Sequence, residues 1–194
     1  MNMKVKTDTR KLVLTAVLIA VVFALQYLGS FIRFGVFSIS LVLVPIVIGA
    51  ALCGPVTGAI LGLAFGVAVL ASGDAALFLG INPFGTVVTV LLKGLLAGLA
   101  AGFVYRALSK KSEMLAVILA AIICPVVNTG IFLLGCVLFF LPTVTEWAGG
   151  TNVGVFMITS FVGLNFLFEM AVNIILSPVI VRLINIRRTT EEAA

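Results

Sequence analysis

The sequence predicts an all-α, polytopic membrane protein, a bundle of six transmembrane helices with both termini in the cytoplasm. Of its 194 residues 62% are apolar and only 10% charged, and mean hydropathy is +1.34, whereas an ordinary globular chain is about 45–50% apolar and 25% charged. The apolar residues fall into runs of bilayer length, since a core of about 30 Å takes roughly 20 residues of helix. Basic residues collect between alternate runs. So few charges cannot coat a water-facing surface, and the long apolar runs exclude disorder.

The six segments are Leu12–Leu28, Ser38–Leu52, Gly54–Ser72, Phe84–Leu108, Met114–Leu141 and about Phe156–Ile184. The first has a basic start, like a signal peptide. Its apolar core is long for one, however, and no A-x-A-like cleavage site follows, so it is read as a span. The second is short, and Pro45 is expected either to kink it or to mark irregular backbone. Gly54-Pro55 leaves almost no loop before the third, which predicts a tight helical hairpin. Asn82-Pro83 predicts the start of the fourth, with Asn as N-cap and Pro at the first helical position. The sharp change in composition at Arg106–Glu113 is the one linker-like stretch, so residues 1–194 read as one six-helix domain with a short basic N-terminal and a charged C-terminal tail.

Charge sets the orientation. Lys4, Lys6, Arg10 and Lys11 precede the first span, Arg106, Lys110 and Lys111 join the fourth to the fifth, and Arg182, Arg187 and Arg188 close the sixth. With six spans these three places share one side, holding ten of the twelve basic residues. Arg33 faces Asp74 and Glu146 on the other side. The positive-inside rule therefore places both termini in the cytoplasm.

Several chemistries drop out. There is no histidine, which removes Ser-His-Asp hydrolysis, His-ligated metals and haem. Cys53, Cys124 and Cys136 lie apart in apolar stretches and read as buried small hydrophobes, and no metal or other cofactor is expected. No G-x-x-x-x-G-K-[ST] occurs, so the chain cannot hydrolyse ATP through a P-loop. Nothing points to nucleic acid, and an intramembrane enzyme is the least supported reading.

Two charges sit inside the spans, where each costs at least about 2.5–3.5 kcal/mol on insertion scales. Lys93 in the fourth span and Glu169 in the sixth both lie about 14 Å deep at 1.5 Å per residue. One reading is a structural salt bridge; the other is a wet cavity that meets a ligand. Their neighbours favour the cavity. Thr86, Thr89 and Lys93 share one arc of the fourth span, and Asn165, Glu169 and Asn173 form a stripe at i, i+4, i+8 on the sixth. Asn128 and Thr129 add polar groups from the fifth. An isolated ion pair does not need these amides and hydroxyls, whereas a buried polar ligand does. Interhelical hydrogen bonds alone also account for Asn and Thr in a bundle.

The outer loops supply a candidate lid. Phe31, Arg33, Phe34 and Phe37 cluster after the first span, Asp74 and Asn82 lie before the fourth, and Trp147 lies before the sixth. Aromatic residues in such places ordinarily anchor the membrane interface, but Arg33 is placed to recruit or cover an acidic ligand. Small residues form rows: Ala16, Ala20 and Ala24 in the first span, Gly58, Gly62 and Gly66 in the third, Gly94, Gly98 and Gly102 in the fourth. Close packing within the bundle is the default for each, with at least one row expected to serve as a docking surface for another membrane protein.

Six spans, the Ala16-x-x-x-Ala20 row, the stretch Ser38-Ile-Ser-Leu-Val-Leu-Val-Pro-Ile-Val-Ile-Gly-Ala followed by Gly-Pro-Val-Thr-Gly-Ala-Ile-Leu-Gly, and Ile81-Asn-Pro-Phe-Gly entering a polar-striped helix together resemble an S component of an energy-coupling factor (ECF) vitamin transporter. The resemblance covers nearly the whole chain and is nearest the riboflavin- and pantothenate-type branch. It implies a non-enzymatic subunit of a bacterial cell membrane. Such a subunit binds one B vitamin or related micronutrient near the outer face and works with a transmembrane coupling subunit and two ABC-type ATPases. It also implies partner docking through Ala16, Ala20 and Ala24. Arg33, Asn82, Thr86, Thr89, Lys93, Asn128, Asn165 and Glu169 become the substrate-binding candidates. The vitamin itself is left open: a carboxylate ligand such as pantothenate would use Lys93 or Arg33, while a neutral flavin would leave Lys93 to pair with Glu169. The alternative function is a stand-alone secondary transporter or small channel.

Overall fold

The computed structural model describes residues 2–30, 33–34, 37–38 and 41–192, and within these the side chains of 9–30, 41–163 and 166–186. The elements in chain order are α1 (Asn2–Ser30), the short strands β1 (Arg33–Phe34) and β2 (Phe37–Ser38), α2 (Leu43–Cys53), α3 (Pro55–Ser72), α4 (Ala76–Ile81), α5 (Pro83–Leu108), α6 (Glu113–Phe139), α7 (Leu141–Ala148) and α8 (Val153–Phe156). A π-helical turn, Met157–Val162, then leads into α9 (Gly163–Ile175) and α10 (Ser177–Glu192). The strands pair antiparallel, Arg33 opposite Ser38 and Phe34 opposite Phe37. The protein is an all-α membrane protein.

Among the described residues, α1, α3, α5 and α6 are each long and apolar enough to cross a bilayer, and the bent pair Val153–Val162 and Phe166–Ile175 makes a fifth crossing if taken as one span. Among the described residues, the expected count of six is reached by adding one of the two shorter apolar helices, α2 or Ser177–Ile186 of α10. The 11 residues of α2 extend about 16 Å at 1.5 Å per residue, roughly half the hydrocarbon thickness. Pro45 falls in the first turn of α2, where the missing N–H has no helical acceptor, so it produces no kink. Gly54 alone joins α2 to α3; its φ of 99° is open to glycine and strained for other residues.

The segment expected as one span over 156–184 is interrupted twice. Gly163, with φ 31° and ψ −141°, breaks the helix after the π turn, and the two halves meet at 44°. Leu176 then forms a turn before α10, whose second residue is Pro178. Proline has no N–H to continue the ladder, and it disfavours helical backbone at the residue before it.

The bundle is organised around α3 and α5, which run antiparallel with their glycine rows in contact. A Cβ built on Gly62 would strike the carbonyl of Gly94, and one on Gly58 the carbonyl of Gly98. Gly66 meets the Val90 carbonyl in the same register, and Gly102 meets Pro55. Both glycine rows are thus used inside the fold. Leu43, Ile46, Val47 and Ala50 of α2 pack with Leu61, Phe65, Ala97 and Ala101 in the main core, which continues to Ala116, Ala120 and Cys124 of α6.

The alanine row lies elsewhere. Ala16, Ala20 and Ala24 are exposed, on the same face as Leu12, Val13, Val17, Val21 and Leu28. Only 17% of the α1 span is buried, against 33–44% in the other three long helices, so α1 sits at the edge of the bundle.

Asn82 caps α5 as its sequence suggests: Oδ1 accepts from the Gly85 amide at 2.9 Å, and Pro83 follows at the first helical position. Replacing Asn82 with alanine is expected to cost about 1 kcal/mol, measured as a drop in the thermal unfolding midpoint of the detergent-solubilised protein.

Candidate ligand-binding site

The residue types that the sequence marks as out of place in lipid converge on one cavity. It has a volume of about 110 Å³ and is bordered by α1, α3, α4, α5, α6, the π turn and α9. Thr86, Thr89 and Lys93 reach it from α5, Asn128 and Thr129 from α6, and Glu169 from α9. The helical spacing places the α5 trio one above another on a single face, and α6 presents Asn128 and Thr129 opposite.

Lys93 and Glu169 share this cavity without pairing directly. The Lys93 ammonium lies 5.5 Å from the ring centroids of both Phe65 and Phe132, a cation–π arrangement in which two quadrupoles partly replace water. Among the described residues, no carboxylate comes within salt-bridging distance of Lys93, and no donor reaches the side chain of Glu169. Its backbone carbonyl accepts from Asn173 Nδ2 at 2.8 Å, and Ser177 Oγ donates to the Asn173 carbonyl at 3.0 Å. The i, i+4, i+8 stripe therefore divides: Glu169 faces the cavity, while Asn173 is buried below it, bonded to its own helix.

Among the described residues three buried polar atoms make no hydrogen bond: Thr89 Oγ1 and Asn128 Oδ1, whose residues line the cavity, and Asn173 Oδ1, whose residue does not. A buried polar atom left unsatisfied costs about 1–3 kcal/mol, and natural folds rarely keep several together unless another molecule meets them. Thr86 is accounted for, its Oγ1 donating to the Asn82 carbonyl at 2.8 Å.

The apolar part of the wall is mostly aromatic: Phe65, Phe78, Phe132, Phe140, Phe161 and Phe166, with Val69, Ala75 and Val90 between them in the lining. Phe78, on the short helix α4, is the hub at one end of the bundle. Its ring meets those of Phe132, Phe140, Trp147 and Phe161 edge-on at 5.1–6.3 Å, geometry that suits aromatic quadrupoles. Trp147 of α7 thus packs into the closure of the cavity. The gap between α4 and α3 is bridged by Gln26 of α1, whose Nε2 donates to Asp74 and, at 3.2 Å, to Ser72 Oγ. Gln26 and Asp74 both line the cavity.

Of the eight candidates from sequence, five meet at the cavity: Thr86, Thr89, Lys93, Asn128 and Glu169. Asn82 is not part of its lining and spends its side-chain oxygen on the helix cap. The side chains of Arg33 and Asn165 lie outside the described residues, as does Phe31. Sequence reading passed over Gln26, although a carboxamide within an apolar span is a signal of its own. The phenylalanine wall carried no signal, because phenylalanine in a membrane helix is unremarked until the packing is known.

A comparison with curated proteins gives no match. The family model described as ECF transporter, substrate-specific component matches residues 10–181. That range takes in α1 from Arg10 onward, α3, α5 and α6, the cavity and every residue described around it. An apolar helical bundle that sets polar groups around a hollow is suited to select a solute, and the chain belongs to the family of membrane-embedded, substrate-specific components of ECF transporters.

Proposed function

We propose that the chain is the high-affinity S component of an ECF-type importer for a B vitamin or related micronutrient, capturing its ligand outside the cell. It docks on a transmembrane coupling subunit driven by two ABC-type ATPases, and it lies in a bacterial cell membrane with both termini cytoplasmic, as a single six-helix domain. The observation that carries this reading is the cavity itself, where a lysine, a glutamate, a hydroxyl and an amide oxygen stand around one hollow without bonding to one another. Thr86, Thr89, Lys93, Asn128 and Glu169 are its ligand contacts. Arg33, Asn165 and Asn82, one helical turn from Thr86, complete the proposed set. The exposed face of Ala16, Ala20 and Ala24 is the docking surface, and with no P-loop in the chain the energy comes from the partners. Because Lys93 is not paired with Glu169, a ligand that carries an acidic group is favoured over a neutral flavin.

Native mass spectrometry of the gently purified chain tests this. The wild-type protein is expected to carry a small molecule, and Lys93→Met and Glu169→Gln each to lower its retention about tenfold or more, the worth of a charge-assisted hydrogen bond. Normal retention in both variants with a lower unfolding temperature would return the pair to a purely structural role. Uptake into proteoliposomes holding this chain alone, abolished by an uncoupler, would instead make it a secondary transporter.

A further inference from the structure

The charged groups of the cavity limit what can fill it. Asp74 accepts from Gln26 Nε2 and Thr86 Oγ1 donates to its own helix, which leaves Glu169 as an acceptor, the Asn128 amide and the Thr89 and Thr129 hydroxyls as acceptor or donor, and Lys93 as the one cationic donor. Lys93 and Glu169 are opposite in sign, and neither side chain makes a hydrogen bond or salt bridge among the described residues. A purely anionic occupant would satisfy Lys93 and place its own charge against Glu169. A purely cationic one would satisfy Glu169 and meet the lysine. A neutral molecule would leave Lys93 and Glu169 facing each other only across the cavity, buried charges without the hydrogen bonds that offset their desolvation. The aromatic wall then calls for a flat apolar body. The volume of about 110 Å³ is of the order of the cavity of roughly 150 Å³ that accommodates benzene.

Resting on the capture function proposed above, we propose that the ligand is amphoteric. It is a compact, single-ring molecule with an anionic group for Lys93 and, across the ring, a cationic N–H-bearing group for Glu169, Asn128 Oδ1 and Thr89 Oγ1. Selectivity then comes from demanding both charges at once, because a molecule lacking either leaves one protein charge unpaired.

The test uses the full chain in detergent micelles and the small metabolites of yeast extract, separated by ion exchange into neutral, anionic, cationic and amphoteric pools. The amphoteric pool is the one held both by a cation exchanger at low pH and by an anion exchanger at high pH. Thermal unfolding is measured against a dilution series of each. The amphoteric pool is expected to raise the unfolding temperature of the wild-type protein at dilutions at least tenfold greater than any other. Lys93→Met is expected to shift the best response to the cationic pool and Glu169→Gln to the anionic pool, while Lys93→Arg keeps the wild-type ranking. A wild-type response led by a neutral or singly charged pool overturns the amphoteric ligand and leaves the capture function standing. No response to any pool overturns both. The wild-type ranking decides the matter even where a variant fails to fold.

Discussion

Gly62→Leu and Gly98→Leu are each expected to abolish recovery of folded protein, and the corresponding alanine variants to lower stability by roughly 1–3 kcal/mol, the usual cost of overpacking. The reason is backbone contact. At both positions an added Cβ meets a carbonyl of the facing helix, and a carbonyl cannot rotate aside as a side chain can, so α3 and α5 must separate. Separation would open the packing of Phe65 and Val90 and with it two walls of the cavity. Gly130→Ala is the matched control. That glycine is also inside a membrane helix, but its Cβ would meet nothing within 4 Å, and the variant is expected to gain about 0.4–1 kcal/mol by restricting the unfolded chain. Thermal unfolding in detergent separates the two outcomes. Equal behaviour of Gly62→Ala and Gly130→Ala would show that the close crossing does not hold the bundle together.

The double variant Ala16→Trp/Ala20→Trp is expected to lose co-purification with the coupling subunit by more than about tenfold, while its retention of a small molecule stays at the wild-type level. Alanines at i and i+4 on an edge helix let a partner helix approach to backbone distance, the geometry that drives association where lipid and side chains are equally apolar. Two indole rings would hold that helix several ångströms away. Because Ala16 and Ala20 are exposed, the rings have room to point outward and the fold should tolerate them. Ala24→Trp extends the same face and is expected to add to the loss. Full recovery of the complex from the double variant would remove α1 as the docking surface.

These two expectations treat the rows of small residues in opposite ways, and the sequence does not distinguish them. Ala16-x-x-x-Ala20 and Gly58-x-x-x-Gly62 have the same spacing, which states only that a helix has a narrow face. Whether that face meets its own bundle or a foreign helix depends on neighbours far away in the chain. The same holds for the short α2. Its run of apolar residues reads as a span from composition, and which neighbours its 11-residue helix packs against, through Leu43, Ile46 and Val47, is set by the bundle.

The candidate site was legible to the extent that polarity in lipid is costly. Lys93, Glu169, Thr86, Thr89 and Asn128 were visible because each is anomalous within an apolar run, and helical periodicity then grouped those on one helix. Asn173 has the same anomaly and the same stripe, yet bonds within its own helix, so periodicity over-reads by one turn. The aromatic residues escaped notice for the converse reason: Phe65, Phe78 and Phe132 cost nothing in a membrane segment.

By itself, the sequence determined that the chain lives in a bilayer, that it is helical, that it carries no P-loop motif, and which ionisable groups require explanation. Each of these follows from the transfer energy of single residues or from local spacing, which need no knowledge of the fold. Tertiary structure alone decided that Lys93 stands between two phenylalanines rather than against Glu169, that both glycine rows face inward while the alanines face out, and that Gln26 and Asp74 complete one wall of the cavity. Those outcomes depend on which helices become neighbours and in what register, a property of the packed bundle that no stretch of chain carries in its own residues.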